Sequence, residues 1–369
     1  MPELSSIKIE VERLSNILVK AEDCLDLGEL NAKIQDLEQI IAQPTFWHNS
    51  VTAHQTLQEI QFLNAKKKQY QRSHSILADI NAALELLEVT ADEQLLQEAQ
   101  ANLTQLQREL ETLEIQQLLT QPCDQKGAFL TITAGIGDVD AEDWAFILLK
   151  LYHRWALNHN YRPDVVAESD GDIAGIKYAV LEITGHYAYG CLKSEIGTHQ
   201  LQRLSPFGAD KNLKTSLASV EVSPILDESC DFDISQKDLE ITLARAKGNV
   251  NRTKTWAQVV HLPTGITVFC DSDRSQMENK AKALAILKSK LWALMQAQGV
   301  NQISAIQPRQ MKSLSNKLIR EYILHPNTKV KDLRTLVQTT AVAEVLDGGI
   351  DLFIKAYLQQ EHQTTVPSQ

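Results

Sequence analysis

Residues 238–292 read DLEITLARAKGNVNRTKTWAQVVHLPTGITVFCDSDRSQMENKAKALAILKSKLW, a strand, a basic loop, a hairpin and a helix in that order. Leu239, Ile241 and Leu243 alternate with polar residues, as in a half-buried strand. The loop Arg245–Thr253 follows, with Arg245, Lys247 and Arg252 in it and Lys254 just beyond. Ala257–Leu262 and Ile266–Cys270 form a hairpin about Pro263-Thr264-Gly265, because Pro fixes φ and Gly supplies φ > 0. The closing helix carries Met277, Ala281, Leu284, Leu287, Leu291 and Met295 on one face. Lys280, Lys282, Lys288 and Lys290 lie mostly off that face.

Net charge over the 369 residues is −11, which taken whole disfavours a polyanionic partner. Its distribution reverses that reading. Residues 1–121 hold 9 Lys+Arg against 19 Asp+Glu, whereas residues 237–334 hold 17 against 7. A module with a net charge of +10 suits a polyanion such as RNA. The length predicts two or three domains. No apolar run is long enough to span a membrane, and the first residues resemble neither a signal core nor a transit peptide. Five cysteines, Cys24, Cys123, Cys191, Cys230 and Cys270, show no paired spacing. Reduced thiols in a cytoplasmic protein are expected. Phosphate-loop, GxSxG and HExxH patterns are absent from the sequence, so neither cofactor nor metal is expected.

Outward from the basic module, residues 1–121 read as a helical bundle or coiled coil. Leu30, Ile34, Leu37 and Ile41 form one stripe, and Leu77, Ile80, Leu84 and Leu87 another. Thr90 to Glu93 fits a capping box. Beyond it Leu96, Ala99, Leu103, Leu106, Leu110 and Leu113 recur at three and four residues, the spacing of a packed helix. Residues 122–228 change to mixed α/β. Strands are predicted at Phe129–Thr133, Asp164–Glu168 and Tyr178–Ile183. A helix is predicted at Asp140–Asn158, with Trp144, Ile147, Leu148, Leu151, Tyr152 and Trp155 on one face. Residues 229–303 form the basic module, Val300–Lys312 reads as a polar loop, and 304–369 returns to the central domain. The fold class is therefore α+β multidomain.

Several motifs, in order, resemble class-1 peptide chain release factors, the proteins that free the nascent chain at a stop codon. In the basic module these are Asn251-Arg252-Thr253, His261–Ile266, Asp273-Arg274-Ser275-Gln276 and Asn279-Lys280. In the central domain they include Ala141–Trp144, Tyr152–Trp155, Ala174–Lys177, Gly185–Gly190 and Glu195–His199. Ile319–Tyr322, Lys331–Thr335 and Val345–Gly348 continue the match. Ser205-Pro206-Phe207 is the tripeptide of the type-2 factors, which read UGA and UAA. The resemblance implies codon contacts from Ser205, Pro206, Phe207, Lys214 and Thr215. It implies RNA contacts from Arg245, Lys247, Arg252, Lys254, Arg274 and Lys280. The implied partner is the ribosome, with its rRNA and the mRNA in the A site; no membrane and no small-molecule cofactor are implied.

Four departures from the family's pattern stand out. Lys214 occupies the place of a His before Thr215, and Asp210–Leu213 replaces Gly-Gly-Arg-Arg. Gly137–Asp140 stands where the family has Gly-Gly-Thr-Glu. Above all, the family's Gly-Gly-Gln-His-Val-Asn-Arg-Thr is here Gly248-Asn249-Val250-Asn251-Arg252-Thr253, and Gly-Gly-Gln occurs nowhere in the chain. In the family this loop delivers a Gln main-chain amide to the peptidyl-tRNA ester, and the Gln is methylated. The loop here is about four residues shorter and gives up roughly 13 Å of contour. The expected consequence is a translation factor that occupies the A site without hydrolysing peptidyl-tRNA, with no catalytic residue and no loop methylation. The alternatives are a working terminator at UGA and UAA, and an RNA-binding protein that stabilises a transcript.

Overall fold

A computed structural model describes residues 2–365 except 25–26, 45, 49, 91, 136–138, 208–211, 227–232, 248–252, 301 and 307–316. The chain divides into two compact units, Met1–Gln117 and Leu118–Gln369.

The first unit is helical: α1 (Pro2–Cys24), α2 (Leu27–Ile41), α3 (Ser50–Val89) and α4 (Glu93–Leu118). Its leucine stripes pack on one another. Leu14 and Leu18 of α1, Tyr70, Leu77, Ile80 and Leu84 of α3, and Leu106, Leu110 and Leu113 of α4 form one cluster. Ile34 of α2 with Ile60 and Leu63 of α3 forms a second, backed by Leu30, Leu37 and Ile41. The expected capping box is not the one used. Thr90 Oγ1 donates instead to the Leu86 carbonyl of α3 (3.0 Å). Asp92 Oδ1 accepts from the amides of Gln94 (2.9 Å) and Leu95 (3.3 Å) at the start of α4. A threonine just past a helix bonds the carbonyl four residues back readily, and the next short carboxylate then takes the cap.

The second unit is built on an eight-stranded sheet in the order β11-β10-β9-β4-β5-β1-β3-β2. The strands are β1 (Ala128–Ala134), β2 (Arg162–Asp170), β3 (Ile176–Thr184), β4 (Gly197–Leu204), β5 (Leu213–Pro224), β9 (Leu318–Ile323), β10 (Lys329–Asp332) and β11 (Gln338–Thr339). Neighbours are antiparallel except β4 and β9, which are parallel. That one parallel pair is how the C-terminal segment enters the sheet. Helix α5 (Val139–Asn158) buries Trp144, Leu148, Leu151, Tyr152 and Trp155 of the face its periodicity predicts, while Ile147 is only half-buried. Helices α6 (Ala188–Leu192), α8 (Val342–Leu346) and α9 (Asp351–Thr365) complete the unit.

The basic segment forms a three-stranded antiparallel sheet, β6 (Leu239–Lys247), β7 (Thr253–His261) and β8 (Ile266–Cys270), covered by α7 (Gln276–Gln298). Val259, Val268, Ala283, Ile286, Leu287 and Leu291 share a core with Phe129, Val166, Ala167 and Val180 of the large sheet. Lys290 Nζ donates to Glu221 Oε2 of β5 at 2.9 Å, and Cys270 Sγ donates to the Val166 carbonyl at 3.1 Å.

Three sequence expectations change here. Met277 and Ala281 are exposed, and the buried face of α7 runs instead through Asn279, Ala283, Ile286, Leu287, Leu291 and Met295. Two surfaces, β7–β8 and the large sheet, bury this helix, so its covered arc is displaced from the apolar stripe. The strands also run further into the basic loop, pairing Ala246 with Lys254 and Lys247 with Thr253. Finally, the segment after α7 is not wholly polar in placement, since Ile306 is buried and Ile303 packs beside it.

Candidate nucleic-acid interface

The β4–β5 hairpin carries Ser205-Pro206-Phe207 at its tip. Arg203 faces Lys214 directly across the ladder. Two cations in cross-strand register repel one another unless carboxylates intervene. Helix α5 supplies them: Arg203 Nη2 donates to Asp143 Oδ2 (2.5 Å) and Asp140 Oδ1 (3.3 Å), while Lys214 Nζ lies 3.8 Å from Asp140 Oδ2. Ser205 Oγ donates to the same Asp140 Oδ2 at 2.7 Å, and the Phe207 amide donates to Ser205 Oγ at 3.2 Å. Ser205 is consequently 7% exposed, whereas Phe207 is 41% exposed. Pro206, Lys214 and Thr215 lie at the surface.

Asp140 thus organises the tip, a role the sequence did not disclose. Its place at a helix N-terminus explains it equally well as a partner of the helix dipole. Arg203 was missed for a similar reason, since one arginine in a strand carries no signal. Glu142, from the same acidic run, accepts from the Asp172 amide at 3.0 Å and holds the β2–β3 turn.

Beneath the hairpin lies a closed polar network. Arg320 of β9 donates from Nη1 to Glu195 Oε2 (2.5 Å) and from Nη2 to Glu195 Oε1 (2.7 Å), the bidentate geometry of a guanidinium on a carboxylate. Arg320 Nη2 also reaches Asp332 Oδ2 (3.3 Å), which Arg334 holds from the other side (2.8 Å). Tyr152 OH donates to Glu195 Oε2 at 3.0 Å, and Trp144 Nε1 donates to the His199 carbonyl at 3.0 Å. Burial alone would raise the Glu195 carboxyl, but the Arg320 guanidinium, with His199 and Arg334, outweighs burial and holds it below the usual carboxylate range.

His199 is enclosed by Tyr152, Glu195, Arg320 and Tyr322 and by α5. Its Nε2 lies 3.1 Å from the Glu195 carbonyl. Burial, helped by Arg320 and Arg334 against the pull of Glu195, lowers its pKa to about 4. The folded chain keeps this imidazole neutral, while the unfolded chain protonates it near pH 6.5. Stability from this site is therefore complete above about pH 6.5 and declines as pH falls toward about 4. The slope is about 1.4 kcal/mol per pH unit, or roughly 3 kcal/mol in all. Urea unfolding of the unaltered chain and of His199→Gln between these limits checks this. The variant should lose one proton's worth of pH dependence.

In the basic module, the β6–β7 ladder ends at Lys247 paired with Thr253. Arg252 and the degenerate loop Gly248–Asn251 lie outside the described residues. The backbone of Arg245, Lys247 and Lys254 belongs to the two strands, so all three flank that connection. Arg274 is exposed in the β8–α7 turn, and Lys280 is half-buried on α7. Lys290, one of the lysines the sequence places mostly off the apolar face of α7, is committed to Glu221. The hairpin tip and the β6–β7 end are thus two separate polar stations on the second unit. Among the described residues, no group of side chains could hold a metal ion, and no helix is long and apolar enough to cross a membrane.

A family profile described as the PCRF domain matches residues 30–220, and one described as the RF-1 domain matches residues 228–334. Peptide chain release factor 2 of Lactiplantibacillus plantarum is 37% identical over 361 residues, covering 97% of this chain and 96% of the relative. Peptide chain release factor PrfB1, chloroplastic, of Arabidopsis thaliana is 36% identical over 375 residues, covering 100% of this chain and 82% of the relative. Among solved structures, RF2 of Thermus thermophilus matches with a TM-score of 0.61 and 34% identity, covering 93% of this chain and 99% of that one.

Proposed function

Since the chain belongs to the peptide chain release factor family, and within it resembles release factor 2 over nearly its whole length, we propose that it binds the ribosomal A site without hydrolysing peptidyl-tRNA. In this reading, residues 122–228 with 304–369 face the decoding site, 229–303 is the module aimed at the peptidyl-transferase centre, and 1–121 is the helical arm.

The observation that carries the proposal is the length of the β6–β7 connection. Pairing continues to Lys247 and Thr253, so only residues 248–252 join the strands. Those residues read Gly-Asn-Val-Asn-Arg. Folded back on itself, such a connection extends at most about 10 Å beyond the sheet, against about 17 Å with four residues more. Ester hydrolysis needs a donor where the oxyanion forms and a water held beside it, and a misplacement of 1 Å costs about a hundredfold. Asn249 offers an amide, but on a shorter side chain and a shorter loop.

Recognition at the decoding end rests on Ser205 and Phe207, whose turn is hydrogen-bonded to Asp140 before any RNA arrives. Ser205 is bonded internally at both its hydrogen and its oxygen, so a base meets the hydroxyl by exchange with Asp140 or the Phe207 amide. Phe207 offers an exposed ring, the kind of surface on which unstacked bases settle. The test is competition on UGA-programmed ribosomes between this chain and an active release factor. The chain should slow release by its competitor. Ser205→Ala and Phe207→Ala should each weaken that competition by about 5- to 150-fold, the equivalent of 1–3 kcal/mol. Competition unaffected by either substitution would remove the hairpin from the proposed contact.

A further inference from the structure

We propose that Asn279 is a positioning residue that fixes Arg274 as a phosphate-contacting cation beside the β6–β7 connection, an inference that rests on the ribosome-binding reading above. Asn279 is fully buried, and its amide is used at every site. Nδ2 donates to the carbonyls of Thr255 (2.9 Å) and Asp273 (2.8 Å), and Oδ1 accepts from the Asp273 amide (2.9 Å). Thr255 Oγ1 donates to the same Asp273 carbonyl at 2.6 Å. The Asp273 backbone is therefore gripped through both its amide and its carbonyl.

On the other side of Arg274, Ser275 caps α7. Its Oγ accepts from the Glu278 amide at 3.4 Å, and its carbonyl accepts from the Asn279 amide at 3.0 Å. Arg274 thus stands between two anchored residues with its side chain exposed. The carboxylate next to it does not neutralise it, because Asp273 Oδ2 pairs with Lys282 Nζ at 2.9 Å. Arg274 makes no ion pair among the described residues.

Register decides where this cation sits. β8 ends at Cys270 opposite Ala257, and the turn then runs on to Asp273 beside Thr255. Thr255 is two residues from Thr253, the last ladder position before the connection. The turn and the connection therefore emerge at the same end of the small sheet. A backbone held there by a satisfied buried amide sets where the exposed Arg274 side chain leaves the turn, so that only the side chain itself has to order on a phosphate.

The experiment measures binding of the full chain to UGA-programmed ribosomes over a salt series. Arg274→Ala should weaken binding about tenfold and lower the slope of log K against log salt by roughly 0.7–0.9, the signature of one lost phosphate contact. Asn279→Ala, and independently Thr255→Val, should each reproduce part of that loss when Arg274 is present and add almost nothing to Arg274→Ala. A merely structural role would cost the same in both backgrounds and would overturn the inference. If Asn279→Ala fails to fold, the milder Thr255→Val decides by the same comparison. An unaltered chain that binds ribosomes with a slope indifferent to Arg274→Ala overturns this inference alone. An unaltered chain that does not bind ribosomes overturns the ribosome reading and this inference with it.

Discussion

On ribosomes carrying peptidyl-tRNA before a UGA codon, the chain is expected to release peptide at least about a thousandfold more slowly than a release factor with an intact Gly-Gly-Gln loop. Loss of one oxyanion donor costs about 10²–10³ in rate, and loss of placement alone costs about 10² per ångström. The two losses concern the same few atoms, so they combine at least partly. Replacing Asn249 with Ala-Gly-Gly-Gln-His restores the family's loop between Gly248 and Val250. This repaired chain should regain at least about tenfold, because the ladder beneath the loop is continuous and needs no rebuilding. Efficient release by the unaltered chain would refute the proposed function. If neither form binds ribosomes, transcript binding becomes the better account of the basic module.

Glu195→Ala is expected to be the most damaging single substitution in the second unit. It strips the bidentate partner from Arg320, leaving a fully buried guanidinium with only a 3.3 Å contact to Asp332 and the face of Phe353 at 4.3 Å. Leaving one buried charge without its partner costs about 3–5 kcal/mol. For a unit of this size that is a fall in Tm of about 6–20 °C. Replacing both partners, as in Glu195→Met with Arg320→Met, should recover more than half the loss, since the penalty belongs to the stranded charge. Asp332 keeps Arg334 in that double variant. A single substitution that leaves thermal unfolding unchanged would show that the network carries no net stability.

The Glu195 pair also predicts how acid acts. Its folded pKa is depressed, so its contribution is present above the ordinary glutamate range and is lost as pH falls through the folded value. His199 acts earlier, from about pH 6.5 downward. Acid should therefore weaken the second unit in two stages, the histidine first.

The two ends of the second unit were not equally legible in the sequence. Helix α5 was readable because six large apolar residues at helical spacing leave one face to bury, and five of them are buried. The first unit's leucines were readable for the same reason, and they pack within that unit. Strand β6 was readable in kind but not in length. Arg245 and Lys247 look like loop residues by composition, yet an antiparallel partner satisfies their backbone regardless of side-chain charge. Helix α7 misled in detail, since an apolar stripe reports what a helix could bury, and here two neighbouring surfaces chose a different arc.

By itself the sequence determined the α+β architecture, the segregation of a basic module from an acidic helical one, the motifs shared with release factors and the lack of Gly-Gly-Gln. These are properties of residue type and order, and no packing is needed to read them. Tertiary structure alone decided that Asp140 gathers Ser205, Arg203 and Lys214. It also decided that Lys290 serves Glu221 and that Asn279 holds Asp273 beside Thr255. In each case the partners lie far apart in the chain or across a turn. Their attraction depends on the distance and solvent exclusion that only folding sets.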